Sequence, residues 1–268
     1  MRLVKSIEQY VAALPEKYQP IFNHAELSDG TSRSCFDRLS EILKVHNTLR
    51  NKLNRPVRVL DLGCAQGFFS LNLAKEGAEV VGIDYLSENI DICNALAAEN
   101  HGFDATFRTD RIEDVITSIS DGQYDLVLGL SVFHHIIHEK GIDEVKHLLS
   151  LLAQGVECMI LELALAVEPL YWSKSQPQEF DVLLDDIAFV YQLGSFSTHL
   201  SSVKRPLFVA SNRYWILGSD IQKILSWSTY PHDLAKKVYR GTRRYFISSD
   251  SVLKIYHFNH GVIVDSCV

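Results

Sequence analysis

Val59-Leu-Asp-Leu-Gly63-Cys-Ala-Gln-Gly67-Phe-Phe69 decides how this chain folds. An apolar run enters a Gly-x-x-x-Gly turn, and helical spacing resumes after Gly67, so the stretch reads as strand, tight turn and helix. A second strand, Val80-Val-Gly-Ile-Asp84, ends on an acid 21 residues after Gly63. In an open α/β sheet the ligand lies beyond the carboxyl ends of the strands, and an acid at that spacing can hold a pair of ribose hydroxyls.

Two ligand classes use such an arrangement. A dinucleotide needs G-x-G-x-x-G, so that bare backbone can approach a pyrophosphate at the helix N-terminus. Here Ala65 stands at the middle glycine and Phe68 at the third, which conflicts with a nicotinamide oxidoreductase. S-adenosylmethionine has no phosphate. Its loop needs only the tight turn at Gly63 and close backbone approach near Gly67, and Asp61 can serve the ligand's amino group through the loop or through water. S-adenosylmethionine is therefore the expected cofactor.

Working outward, strands and helices alternate. Strands are expected over 57–62, 79–84, 105–109, 124–130 and 156–163; helices over 68–76, 87–100, 112–119 and 142–153, with Ser87 as an N-cap. Five strands separated by helices give an α/β, doubly wound, mostly parallel sheet of Rossmann-like type. Beyond Leu163, residues 181–193 read as a helix running into a strand, and 207–211 with 213–217 as a hairpin-like pair closing an antiparallel edge. Residues 1–53 read as short helices broken at Pro15, Pro20 and Ser28-Asp29-Gly30. After Ser219 the chain looks irregular until a two-strand pattern at Tyr245-Phe-Ile and Val252-Leu-Lys-Ile-Tyr256. The expected division is 1–217, with a helical cap over 1–53 and a core over 54–217, followed by a short β extension over 218–268.

With 268 residues, 47% hydrophobic and 22% charged, the chain can bury enough surface to fold. A net charge of −7 argues against nucleic acid as the main partner. The one basic run, Lys236, Lys237, Arg240, Arg243 and Arg244, reads as a solvated helix face or as a contact for an anionic headgroup layer. Five cysteines without a CxxC pair fit reduced, buried thiols, and no metal site is expected. The longest nearly uncharged stretch, 126–138, is too short to span a bilayer, and Lys5 and Glu8 interrupt any secretory signal. A cytoplasmic location is expected.

Taken together, residues 14–22, 60–71, 82–84, 107–115 and 129–136 resemble the O-antigen chain-terminating bifunctional methyltransferase/kinases of the WbdD type. The resemblance covers residues 7 to 261. It implies a class I methyltransferase with a seven-stranded sheet and with S-adenosylmethionine as cofactor. By the resemblance, Tyr18, Gln19 and Arg38 close the cofactor pocket, Gly63 lies under the methionine part and Asp84 holds the ribose. Tyr85 with Leu86 flanks the adenine, Asp110, Arg111, Ile112 and Glu113 line its end, and Leu130 sits at the fourth strand's tip. Asp110 departs from the small residue expected there. Each residue has a plainer reading as well: Tyr18 as a cover for the core, Arg38 as an ion pair, Glu113 as an ordinary first-turn acid.

For catalysis, His134 and His135 follow the fourth strand at the substrate edge, as base or substrate contact or as structural hydrogen-bonding groups. His138, Glu162, Trp172, Arg205 and His199 are weaker candidates, with Trp172 able to stack a sugar ring or simply to pack. The resemblance implies methylation of the non-reducing terminal sugar, or its phosphate, of a mannose-type O-antigen polysaccharide, ending elongation in lipopolysaccharide biosynthesis. A polymerising glycosyltransferase as partner and peripheral contact with the inner membrane face are implied in the same way. Arg244 to Tyr256 looks like the opening strands of the relatives' kinase, with Lys254 as its phosphate-binding lysine. No H-R-D or D-F-G motif follows, and phosphoryl transfer is not expected. The reading of another class is a scaffold that binds cofactor and glycosyltransferase without catalysis.

Overall fold

Strand residues of the central sheet divide between two apolar layers by strict alternation. Val59, Val80, Leu126, Leu128, Cys158, Ile160, Leu207 and Val209 face one layer, whereas Leu60, Leu62, Val127, Met159, Leu161 and Phe208 face the other. The period of two places successive side chains on opposite faces, and a sheet buried on both faces needs apolar residues at nearly every position. The computed structural model describes residues 5–228, 243–258 and 261–267.

The chain enters through α1 (Ile7–Ala13), capped by Ser6 in a capping box with Gln9, and then α2 (Phe36–Leu53). At 18 residues α2 is longer than the short helices expected, and it buries Leu39, Ile42, Val45 and Leu49. The alternation follows: β1 (Arg58–Leu62), α3 (Phe68–Lys75), β2 (Glu79–Asp84), α4 (Ser87–Glu99), β3 (Asp104–Thr109), α5 (Ile112–Ser118) and β4 (Leu126–Leu130). After it come α6 (Phe133–Lys140), α7 (Ile142–Gly155), β5 (Cys158–Glu162), α8 (Asp181–Leu184), β6 (Phe189–Phe196) and β7 (Arg205–Ser211). Their sheet runs in the order β3-β2-β1-β4-β5-β7-β6, with β7 antiparallel to both neighbours. Strand order reverses between β1 and β4, so their carboxyl ends flank the crevice where ligands of such sheets bind.

Four local readings differ from the sequence expectation. Ser87 is the first helical residue of α4 and bonds Glu88; Leu86 holds the N-cap position without a side-chain cap. Helix α6 lies where no element was expected. The hairpin is formed by β6 and β7, whereas β8 (Tyr214–Leu217) turns away to pair with β9 (Asp220–Lys223). The stretch after Ser219 is also more regular than expected, since β10 (Ser226–Trp227), β11 (Arg243–Ile247), β12 (Val252–Phe258) and β13 (Gly261–Cys267) form a four-stranded antiparallel sheet.

That sheet leans on the main core. Phe246, Leu253 and Ile255 join the layer containing α2 and β7, Phe246 meets Phe189 edge to face at 5.6 Å, and Trp215 Nε1 donates to Ser248 Oγ at 3.0 Å. Of the basic run, Lys236, Lys237 and Arg240 lie outside the described residues. Arg244 is no free surface cation, because it donates to the Ile187 and Ala188 carbonyls at 3.0 and 3.2 Å. Lys254 Nζ stands 5.6 Å from the Tyr245 ring centroid. Cys35, Cys64, Cys93 and Cys158 are free and buried.

Candidate active site

The turn after β1 is shaped by positive backbone angles. Gly63 (φ +74°) and Gly67 (φ +74°) take the left-handed conformation that glycine adopts without penalty. A Cβ at Gly63 would run into Val132, and one at Gly67 would lie 2.9 Å from Cys93 Sγ. Ala65, at the position where dinucleotide loops carry glycine, also has φ +49°. Its N–H donates to Asp84 Oδ2 at 3.0 Å, and the Leu86 N–H donates to Oδ1 at 2.9 Å. Asp84 thus ties the β1 turn to the β2 turn, and each of its oxygens keeps a lone pair for a ligand hydroxyl. Asp61 is buried beneath the loop and accepts from Ser70 Oγ at 2.6 Å; burial pushes its carboxyl up to about 7.

The N-terminal strap is stitched to this loop through amide side chains. Gln66 Oε1 accepts from the Tyr18 and Gln19 N–H groups at 3.0 and 2.8 Å, and Gln19 Oε1 caps α3 by accepting from Phe68 N–H at 3.0 Å. Asp110 sits beside Asp84, whose carbonyl accepts its N–H at 3.0 Å. Ile112 reaches to within 3.9 Å of a Cβ placed on Gly63, and Leu130 ends β4 half-buried. Tyr85, 80% exposed, stands at the rim. Glu113 pairs with Lys140 at 2.6 Å and Arg111 at 3.3 Å; burial opposes its ionisation, yet these cations hold it below its ordinary value. Both of its partners are thus protein side chains, one of them on α6.

Beside the loop lies a buried charge cluster that no local pattern announces. Glu162, at the tip of β5, accepts from Arg33 Nη2 at 2.9 and 3.1 Å, from Arg38 Nε at 2.6 Å and from Ser131 Oγ. Ser131 Oγ in turn accepts from Arg33 Nη1 and Arg205 Nη1, each at 3.0 Å. Arg205 grips Glu168 with two bonds, at 2.7 and 2.8 Å. Arg33 also donates to the Tyr18 hydroxyl at 2.6 Å, and burial raises that phenol's pKa. Burial works against the Glu162 charge, but Arg33 and Arg38 hold its carboxyl below the usual range. Arg33 Nε remains buried with no partner. Ser131 has φ +58° and Cys35, the N-cap residue preceding α2, φ +64°; non-glycine residues in that region concentrate strain where the surroundings over-determine the backbone.

His134 is buried between His135 (ring centroids 4.0 Å) and Trp172 (4.6 Å), its Nδ1 without a partner. Burial, with His135 and Arg205 nearby, pushes its pKa down to about 2. His135 lies outward of it and is also held below the ordinary histidine value by burial and by Arg205. His199 packs edge-on to Tyr18 at 5.3 Å.

Of the sequence candidates, then, the structure gathers Tyr18, Arg38, Glu162, Arg205, Trp172, His134, His135 and His199 on one side of the crevice. It gathers Asp61, Gly63, Gly67, Asp84, Leu86 and Asp110 on the other. Arg33, Ser131 and Glu168 were missed. The available signal was a charge ending the otherwise apolar strand Cys158-Met-Ile-Leu-Glu162, since a buried charge demands a partner.

Comparison with known proteins identifies the family. A family model described as a methyltransferase domain matches residues 53–179. The O-antigen chain terminator bifunctional methyltransferase/kinase WbdD of Escherichia coli is 46% identical over 263 residues, covering 97% of this chain and 37% of the relative. The chain thus spans little more than a third of that relative's length. A medium-resolution structure of the bifunctional kinase-methyltransferase WbdD superposes with a TM-score of 0.90 at 46% identity, covering 96% of this chain and 57% of the other. A ubiquinone biosynthesis O-methyltransferase of Rickettsia conorii is 26% identical over 174 residues, 62% of this chain and 59% of that protein. The chain belongs to the family of the O-antigen chain terminator bifunctional methyltransferase/kinases and carries its class I, S-adenosylmethionine-dependent methyltransferase domain.

Proposed function

We propose that this domain methylates an oxygen at the non-reducing end of an O-antigen polysaccharide, the terminal sugar or a phosphate on it, and so ends chain growth. When bound, the cofactor supplies a methyl group on a cationic sulfur, open to in-line displacement by an acceptor oxygen. The residues of this chain then have three tasks: to hold the cofactor, to align the acceptor and to keep water out. Asp84 takes the ribose hydroxyls with its free lone pairs, Asp61 and the Gly63 turn face the methionine amino group, and the Arg33 and Arg38 side supports the carboxylate. Tyr85 and Leu86 flank the adenine, and Asp110 to Glu113 border its end. Tyr18 and Gln19 close the pocket from the strap, with Leu130 at the β4 tip.

The observation that carries the reading is the charge balance at this edge. Three buried guanidinium groups meet two buried carboxylates and, through Arg38, the half-exposed Asp37, while the neighbouring histidines are held below their ordinary value by burial. A hydroxyl acceptor must lose a proton, and a histidine whose conjugate acid has a pKa near 2 is a poor base. An acceptor that already bears negative charge needs only positioning by cations, so a terminal phosphate fits best and His134 serves as a wall. On this reading the domain works at the cytoplasmic membrane face beside a polymerising glycosyltransferase. Among the described residues no helix is long and apolar enough to cross a membrane.

The test is incubation with methyl-labelled cofactor and short mannose oligosaccharides, with and without a terminal phosphate. Label should enter the phosphorylated set, and His135→Ala should retain that transfer within about threefold, well short of the 10²–10⁴-fold contribution of a general base. Label confined to unphosphorylated sugars, lost in His135→Ala, reverses the acceptor assignment. No transfer to any of them favours a scaffold.

A further inference from the structure

Two adjacent aromatic residues in the loop between β5 and α8 are used in opposite ways. Trp172 is 2% exposed, with its ring 4.6 Å from that of His134 and 5.2 Å from the Arg205 guanidinium. A ring so covered cannot stack a sugar, which corrects the sequence expectation for Trp172. Tyr171 is 73% exposed and contacts His138 edge-on, at 5.3 Å and 86°. His138 is itself exposed, with Nδ1 3.2 Å from Ser175 Oγ.

The loop that presents Tyr171 is tied down from inside. Ala166 N–H donates to the Pro177 carbonyl at 3.0 Å, Glu168 grips Arg205, and Gln176 Nε2 donates to the His134 carbonyl at 3.0 Å. Ser175 Oγ donates to the Trp172 carbonyl at 2.7 Å. The exposed ring therefore stands on a fixed base, and through Trp172 and Arg205 that base is continuous with Ser131, just beyond the tip of β4. Single exposed aromatics are ordinary on a surface. This one is held against the surface imidazole of His138, in the loop that leaves the carboxyl end of β5.

We propose that Tyr171, with His138 beside it, is the shelf on which a pyranose ring of the acceptor stacks. The proposal rests on the saccharide-acceptor reading above and adds the residues that receive the sugar. A pyranose has a face of C–H groups that packs on an aromatic plane, and its rim of hydroxyls suits the nearby imidazole nitrogens and the Ser175 hydroxyl. Such a shelf acts on acceptor affinity and leaves the cofactor loop untouched.

The test titrates the full chain, loaded with S-adenosylhomocysteine, with α-linked mannose oligosaccharides carrying or lacking a terminal phosphate. Tyr171→Ala should weaken oligosaccharide binding at least about tenfold, Tyr171→Phe should stay within about twofold of the parent, and both should bind S-adenosylhomocysteine as the parent does. The parent binding sugar and Tyr171→Ala binding it equally well would overturn the shelf alone. Failure of the parent to bind any of the oligosaccharides would overturn the acceptor reading and the shelf with it. A phenylalanine variant as weak as the alanine one would assign the effect to the hydroxyl and contradict stacking.

Discussion

The two ends of the central strands each carry a buried carboxylate with two arginines, built to different specifications. At the amino end, Asp125 precedes β4 and accepts from Arg55 and Arg58, whose side chains are 41% and 36% exposed. Every donor there is satisfied or reaches water, and the Arg58 backbone N–H adds a bond at 2.8 Å. At the carboxyl end, Glu162 accepts from Arg33 and Arg38, whose side chains are 5% and 3% exposed, and Arg33 Nε is left without a partner. The first cluster is a solvated staple. The second keeps charge out of water, with the strained Ser131 alongside, an arrangement that stability alone does not favour. On the proposed reading, the difference marks the end of the sheet where a ligand completes the polar network.

Removing each carboxylate tests that contrast most strongly. Glu162→Ala leaves Arg33 buried without a carboxylate partner and Arg38 with only Asp37, at 3.0 Å, and should cost about 3–5 kcal/mol in chemical unfolding. Asp125→Ala frees two arginines that can turn to solvent, and about 1–3 kcal/mol is expected. Equal losses would break the comparison.

Acidity separates the ends further. The unfolded His134 binds a proton below about pH 6.5, whereas the folded one does not until about pH 2, so it contributes stability at neutral pH that is lost as pH falls. Asp61 has the opposite sign: it holds a proton in the folded state up to about pH 7, so its contribution grows as pH falls from 7 toward 4. At the amino end, burial works against the Asp125 charge, but hydrogen bonds from Arg55 and Arg58 push its carboxyl down to about 2, and its contribution is lost only between about pH 4 and 2. Relative to the parent, His134→Asn should lose less stability between pH 6.5 and 4, and Asp61→Asn should lose more. Asp125→Asn should leave that window unchanged, as thermal unfolding across pH would report.

Much of this architecture is legible in the sequence because it is local. Strands β1, β2, β4 and β5 announce themselves as apolar runs, Glu79–Asp84 to the residue, and the Gly63 turn with Asp84 locates the crevice at the carboxyl ends of the strands. Helix α6 was missed because Phe-His-His-Ile-Ile-His follows the β4 strand directly, and histidines give no clear helical period. Arg33, Ser131 and Glu168 were missed for a different reason. Arg33 and Glu162 are 129 residues apart, and Arg205 and Glu168 are 37 apart. Only the folded sheet edge brings them together, and the burial that shifts their protonation exists only there. Trp172 and Tyr171 make the same point at one residue's distance, since nothing in their order says which faces water.

The most direct test of the account is calorimetric titration with S-adenosylhomocysteine of the parent, Asp84→Ala and Asp125→Asn. Binding by the parent is expected, with a loss of at least about tenfold, ~1.4 kcal/mol, in Asp84→Ala and an unchanged affinity in Asp125→Asn. No binding by the parent, or equal weakening in both variants, would contradict the assignment of the carboxyl edge as the cofactor site.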